Sequence, residues 1–284
     1  MIQSLKTIKN RIRSTENTEK VTAAMEMVSV AKLNKTEKSL IAIRPFVNGL
    51  EAIMNHLIGN LPQSAHPFLE AKSNSDRTCL CIITSDSGLC GVYNNEIIRT
   101  AENFCNSRGK EKMDLVCVGR KGFNYFKKNN FNVLNAYVGL NGRYSEKVSS
   151  AISNNLKAIF ISGRVSQVHI AYTHFKTALI HEQRLEKFLN IDCPFEAKTS
   201  YILEPEKGAI LNEIIPEYVF MKLKMILLEA FTVEHSSRTV AMKAATDNAK
   251  DLLQGLILLR NKVRQANITQ EIMEIISSSE ALKG

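Results

Sequence analysis

The chain has 284 residues, 44% of them hydrophobic and 23% charged. That composition excludes wholesale disorder and leaves room for one large domain or two modules. The net charge of +9 calls for an acidic protein partner, nucleic acid or a membrane face, and it is uneven: residues 1–44 hold nine Lys and Arg against four Asp and Glu, whereas residues 217–284 hold nine against eight.

Residues 1–44 contain neither Pro nor Gly, and the first of each are Pro45 and Gly49. A long helix is expected there, drawn over 1–57. The first 14 residues, MIQSLKTIKNRIRS, carry no acid and so have the composition of a mitochondrial presequence. They run on without a break into the next helical pattern, which weighs against that reading. Leu5, Ile8 and Ile12 make one apolar stripe, and Val21, Ala24, Val28 and Ala31 make another. The intervening RSTENTEK, residues 13–20, is wholly polar. The stripe is therefore expected to change phase, as in a helix that pairs over only part of its length.

The middle, drawn over 75–195, alternates strand and helix signals. CLCIITS (79–85), MDLVCVG (113–119) and FNVLNAYV (131–138) read as strands. Residues 94–108, RKGFNYFKK (120–128) and the stretch marked by Val148, Ile152, Leu156 and Ile159 read as helices. VHIAYTHF (168–175) and residues 178–189 read as a closing hairpin. That alternation predicts a mainly parallel sheet in an α/β domain.

The last section, drawn over 206–284, has no Pro after Pro216, and between Glu217 and Lys283 its only Gly is Gly255. Pro216 suits a first helical turn. Met242, Ala245, Ala249, Leu252, Leu256, Leu259, Val263, Ala266, Gln270 and Met273 alternate at spacings of three and four, a heptad seam over four heptads. Two long terminal helices pair most simply as an antiparallel coiled coil, with a Rossmann-like α/β domain inserted between them.

Little in the chain points to catalysis. Ser85 to Gly91 (SDSGLCG) follows a strand and precedes a helix, where backbone N–H groups can hold an anion. It matches neither dinucleotide nor P-loop spacing, and reads as a tight turn. Cys90 has no neighbouring His to activate it and reads as structural. The six cysteines, Cys79, Cys81, Cys90, Cys105, Cys117 and Cys193, form no CxxC pair and are expected reduced and buried. The six histidines have no metal-binding spacing, and neither metal nor cofactor is expected. A basic zipper would place a dense cationic block directly before the seam. Here the cations lie among Glu16, Glu19, Glu26 and Glu37, about 200 residues away by the heptad count. Nucleic acid is therefore not expected as a partner.

Three blocks together carry a family likeness: NTEKVTAAMEMVSVAKLNK (17–35), SDSGLCGVYN (85–94), and SRTVAMKAATDNAKDL with NKVRQANITQEIMEII (237–276). They resemble the gamma subunit of F-type ATP synthases. The family turn reads closer to SDRGLCGGLN, so Ser87 stands where an Arg is usual and Val92-Tyr93 replaces Gly-Leu. The resemblance implies a non-catalytic rotor shaft inside a ring of three alpha and three beta subunits. Its foot would lie beside the c ring and the epsilon subunit (delta in mitochondria). Small seam side chains fit that role, because they bring the helices together and offer a sleeve little to grip. By the same resemblance, Met25, Arg238, Arg264, Gln265 and Thr269 are sleeve contacts, and Tyr201 and Glu204 are foot contacts. Gln270 is expected to fix register in the seam. The implied location is the cytoplasmic face of a bacterial inner membrane, or alternatively the matrix side of the mitochondrial inner membrane. A free-standing coiled-coil adaptor and a nucleotide-binding Rossmann enzyme are the rival readings.

Overall fold

The computed structural model describes residues 4–58, 66–69, 75–191 and 207–281. Tyr201, Glu204 and Cys193 lie outside them. The chain divides into two compact units, Met1–Val28 with Thr239–Gly284, and Ser29–Arg238. Two helices contribute to both: α1 (Leu5–Ile58) and α5 (Lys207–Ala281). Pro45 lies inside α1, and Pro216 lies well inside α5 rather than in its first turn. Each proline costs its helix one hydrogen bond to the residue four back. Those residues, Ile41 and Asn212, are exposed, so the freed carbonyl stays within reach of water. Buried neighbours on either side, Ile43 with Val47 and Leu211 with Ile215, hold each helix across the gap.

In the first unit the arms run antiparallel. Ile8 and Ile12 pack with Leu253, Leu256 and Val263, while Thr246 donates to the Thr22 hydroxyl at 2.8 Å. Partner numbers fall as α1 numbers rise. Positions 5, 8, 12, 15, 19, 22 and 26 of α1 are buried or half-buried here and alternate at three and four, with Ala23 and Met25 half-buried beside them. The expected phase change is absent: Val21 and Val28 are each 57% exposed, and Ala24 is exposed too. The seam keeps its phase and turns polar. Thr15 and Thr22 tolerate that position because their hydroxyls donate back to the carbonyls of Arg11 and Thr18.

The α5 seam differs from expectation in the same way. Met242, Ala249, Leu256 and Val263 face inward, and the alternate members are Thr246, Leu253 and Arg260; Leu252 and Leu259 are exposed, and Ala245 is half-buried. Leu252 is 56% exposed. Beyond Val263 every residue whose side chain is described is exposed, Ala266, Gln270 and Met273 included. Gln270 donates to Glu274 one turn on, so it sets no register.

The second unit contains a five-stranded sheet of order β3-β2-β1-β4-β5. Its strands are β1 (Thr78–Ile83), β2 (Met113–Val118), β3 (Val133–Tyr137), β4 (Gln167–Phe175) and β5 (His181–Leu189). The first four are parallel, and β5 returns antiparallel to β4. β1 and β2 are buried along their whole length, as strands covered on both faces must be. On one face, α2 (Tyr93–Arg108) and α3 (Arg120–Lys128) cover Leu80, Ile82, Leu115 and Cys117. On the other, α4 (Glu146–Ile161) and the first half of α5 cover Cys81, Ile83, Val116 and Val118. Residues 29, 33, 36, 40, 43, 47, 50 and 54 of α1 are its inward positions in this unit, and Ala31 is exposed. From Ile226 to Ser236, α5 is buried on all sides. A helix buried that way must find partners for any polar side chain it carries, and this stretch carries Glu229, Thr232, Glu234, His235 and Ser236.

Candidate functional site

Those partners lie at the carboxyl ends of the strands. The order reverses between β1 and β4, the switch point where open α/β sheets receive ligands. Here α5 and α1 fill it. Glu229 of α5 takes the Arg44 guanidinium at 2.8 Å and His174 Nδ1 at 2.6 Å, and Arg44 also donates to the Phe175 carbonyl. The Tyr93 hydroxyl donates to the Ala230 carbonyl at 3.3 Å, so the Tyr at this family-variant position anchors α2 to α5. The Ser236 hydroxyl donates to the Ala178 carbonyl at the β4–β5 hairpin.

His235 Nε2 lies 2.8 Å from the Gly142 carbonyl, and its Nδ1 lies 3.4 Å from Arg238 Nη1. A carbonyl only accepts and a guanidinium only donates. The ring must therefore carry its proton on Nε2 and leave Nδ1 bare, which is the neutral imidazole. Burial, with the Arg238 charge adding to it, pushes its pKa down to about 4. No side chain fits at Gly142, which sits at φ +66°: a Cβ there would lie 2.5 Å from the His235 ring.

The Ser85–Gly91 turn is a brace, and its own groups are spent. Asp86 accepts the backbone N–H groups of Arg120, Gly139 and Asn141 at 3.0, 2.9 and 2.7 Å, tying the turn after β1 to α3 and to the loop after β3. Lys32 of α1 donates to the Asn141 carbonyl at 3.2 Å. Asn94 donates to the Ser85 hydroxyl and accepts the Ser85 N–H. Cys90 is buried, and burial raises its thiol pKa, so it is a poor nucleophile. The same cause pushes Cys79, Cys105 and Cys117 up to about 12.

Of the expected sleeve residues, Arg264, Gln265 and Thr269 are exposed on α5, and the Thr269 hydroxyl donates back to the Gln265 carbonyl. Met25 is half-buried on α1. Arg238 is 6% exposed. Its guanidinium lies 2.9 Å from Glu234 and donates to Ser87 and Gly88. Glu234 is 1% exposed, and burial raises its pKa while Arg238 opposes the rise. Sequence reasoning missed Glu229, Glu234 and His235, although three polar side chains in the middle of a breaker-free helix were a visible anomaly. A cavity of about 520 Å³ between α4 and α5, lined by Glu146, Lys157, Glu213 and Phe220 among others, pairs no nucleophile with a base. Among the described residues no cluster of His, Cys, Asp or Glu is set for a metal.

The family model described as ATP synthase matches residues 4–282. The chain belongs to the ATP synthase gamma-chain family. Gamma chains of Chlorobium luteolum and Protochlamydia amoebophila are 33% and 35% identical to it, each over 99% of both chains. Among solved structures, a chain of the Euglena gracilis mitochondrial ATP synthase (OSCP/F1/c-ring, rotational state 3) aligns with a TM-score of 0.71 at 16% identity, covering 98% of this chain and 94% of that one. A chain of the Tetrahymena thermophila mitochondrial ATP synthase central stalk and c ring aligns with a TM-score of 0.62 at 23% identity, over 79% and 99%. Those two share the fold. For a gamma-family chain, the filled switch point gives the inserted domain a structural duty: it is bonded to the long helix that runs through it.

Proposed function

We infer that this chain is the central rotor shaft of a proton-driven ATP synthase, non-catalytic itself, which couples rotation of a c ring to conformational change at catalytic beta subunits. Family membership along nearly the whole chain carries the reading. The antiparallel pairing of residues 5–28 with 242–263 supports it physically, since two helices joined along a seam resist twisting better than one. The partners are three alpha and three beta subunits, the epsilon subunit (or mitochondrial delta) and the c ring. Met25, Arg264, Gln265 and Thr269 are assigned to the sleeve, and Tyr201 and Glu204 to the foot. Arg238 acts on that surface from inside. No described helix is long and apolar enough to cross a membrane, so membrane contact comes through the complex. The bacterial origin of the curated relatives favours the cytoplasmic face of a bacterial inner membrane over the mitochondrial matrix side.

Co-purification tests the reading. A tagged chain should bring down alpha and beta in a 3:3:1 complex, and pure chain should neither make nor hydrolyse ATP. Failure to assemble, or turnover by the isolated chain, defeats it.

A further inference from the structure

We propose that Ser87, Arg238 and Glu234 form a pin that locks the inserted α/β domain to α5, and that Ser87 sets how firmly it holds. The inference rests on the rotor reading for its consequence and on geometry for its existence. Arg238 Nη2 donates to the Ser87 hydroxyl at 3.1 Å and to the Ser87 and Gly88 carbonyls at 3.3 and 3.4 Å, and Nε reaches the Gly88 carbonyl at 3.4 Å. Nη1 points to His235, whose far nitrogen holds the Gly142 carbonyl. One buried guanidinium thus spans the loop after β1 and, through one imidazole, the loop after β3.

Glu234 supplies the counter-charge at 2.9 Å, without which a buried cation would be costly. It neutralises Arg238, while the guanidinium also reaches the turn through Nη2 and Nε and His235 through Nη1. Asp86 and the Ser85 hydroxyl, which donates to the Ser87 carbonyl, fix the turn from the other side. A domain driven sideways would load these bonds, because they join its two loops to the helix that leaves it.

Ser87 supplies the hydroxyl that Arg238 meets on the turn. An Arg there would set a second cation beside Arg238 and near Lys121, which already borders Gly88. The hydroxyl instead accepts from Arg238, turning a repulsive neighbour into an acceptor.

The test is hydrogen exchange, in the full-length chain, of the amides bonded at the turn, those of Ser85, Tyr93, Arg120, Gly139 and Asn141. Ser87→Ala and Arg238→Lys should each speed exchange about tenfold, as loss of a hydrogen bond to a charged group does. The double variant should add less than about twofold to the faster single one, because both remove the same bond. Ser87→Thr, which keeps the hydroxyl, should restore protection. Rates that multiply, unchanged protection in Ser87→Ala, or no rescue by Thr overturns the pin. In the assembled complex, Ser87→Ala should lower protons pumped per ATP hydrolysed and Ser87→Thr should recover them, and an unchanged ratio overturns the load-bearing role. Failure of the wild-type chain to assemble with alpha and beta defeats the rotor reading instead, and the exchange rates then decide the pin alone.

Discussion

Acidification should loosen the junction through His235. In the fold burial, with the Arg238 charge adding to it, keeps the ring neutral against the opposing pull of the Gly142 hydrogen bond, and its pKa falls from the ordinary 6.5 to about 4. A depressed folded pKa means the unfolded chain binds the proton first. The contribution to stability is complete above pH 6.5 and is lost as the pH falls from there to about 4. The shift corresponds to about 3 kcal/mol, a large part of a domain's net stability. Asp114, held below its usual range by Arg77, Arg164 and Asn132, is lost only at still lower pH and does not overlap. Glu234 runs in the opposite sense, since a raised folded pKa favours the fold as pH falls through it. The decisive measurement is therefore a comparison: thermal melts of wild type and His235→Gln between pH 7.5 and 4.5, with the His235 ring titrated by NMR. The variant should show the shallower loss below pH 6.5. A His235 ring titrating near 6.5, or parallel profiles for the two proteins, refutes the argument.

Gly142→Ala should cost about 2–4 kcal/mol in a melt, from the φ of +66° together with collision on the His235 ring; a neutral result would mean the ring is free to move. Leu256→Ala should cost about 2–3 kcal/mol and Leu252→Ala under about 0.5, because Leu256 is 7% exposed and Leu252 56%; urea melts that reverse the order would restore the other seam. Glu234→Gln should gain on wild type as pH rises from the ordinary 4.5 through the raised carboxyl pKa and change no further above it, and a pH-independent difference in melting would count against a buried charge there. Met25→Lys should impair coupling more than folding, since Met25 is assigned to the sleeve surface and is only half-buried, so an added cation there changes what the sleeve grips more than what the helix packs on. Fully linked hydrolysis and proton pumping, or a large drop in melting temperature, would contradict that.

Local rules settled most of the architecture from the sequence. The absence of breakers announced two long helices, and the strand and helix patterns of the middle foretold all five strands and α2, α3 and α4 within a few residues. The family likeness lay in blocks whose order along the chain is itself sequence. Other features needed the tertiary structure. Thr22, Thr246 and Arg260 occupy seam positions that hydrophobicity alone passes over, since heptad phase depends on where the partner helix lies and not on which residues are greasy. Among the described residues the seam ends at Val263, although Ala266 and Met273 carry the heptad spacing on past it in the sequence. Arg238 reads as a surface charge until Ser87 and Gly88, about 150 residues earlier, are brought beside it. A charged residue's role is set by what surrounds it in space, and only folding brings the switch-point turn, the loop after β3 and the middle of α5 to one place.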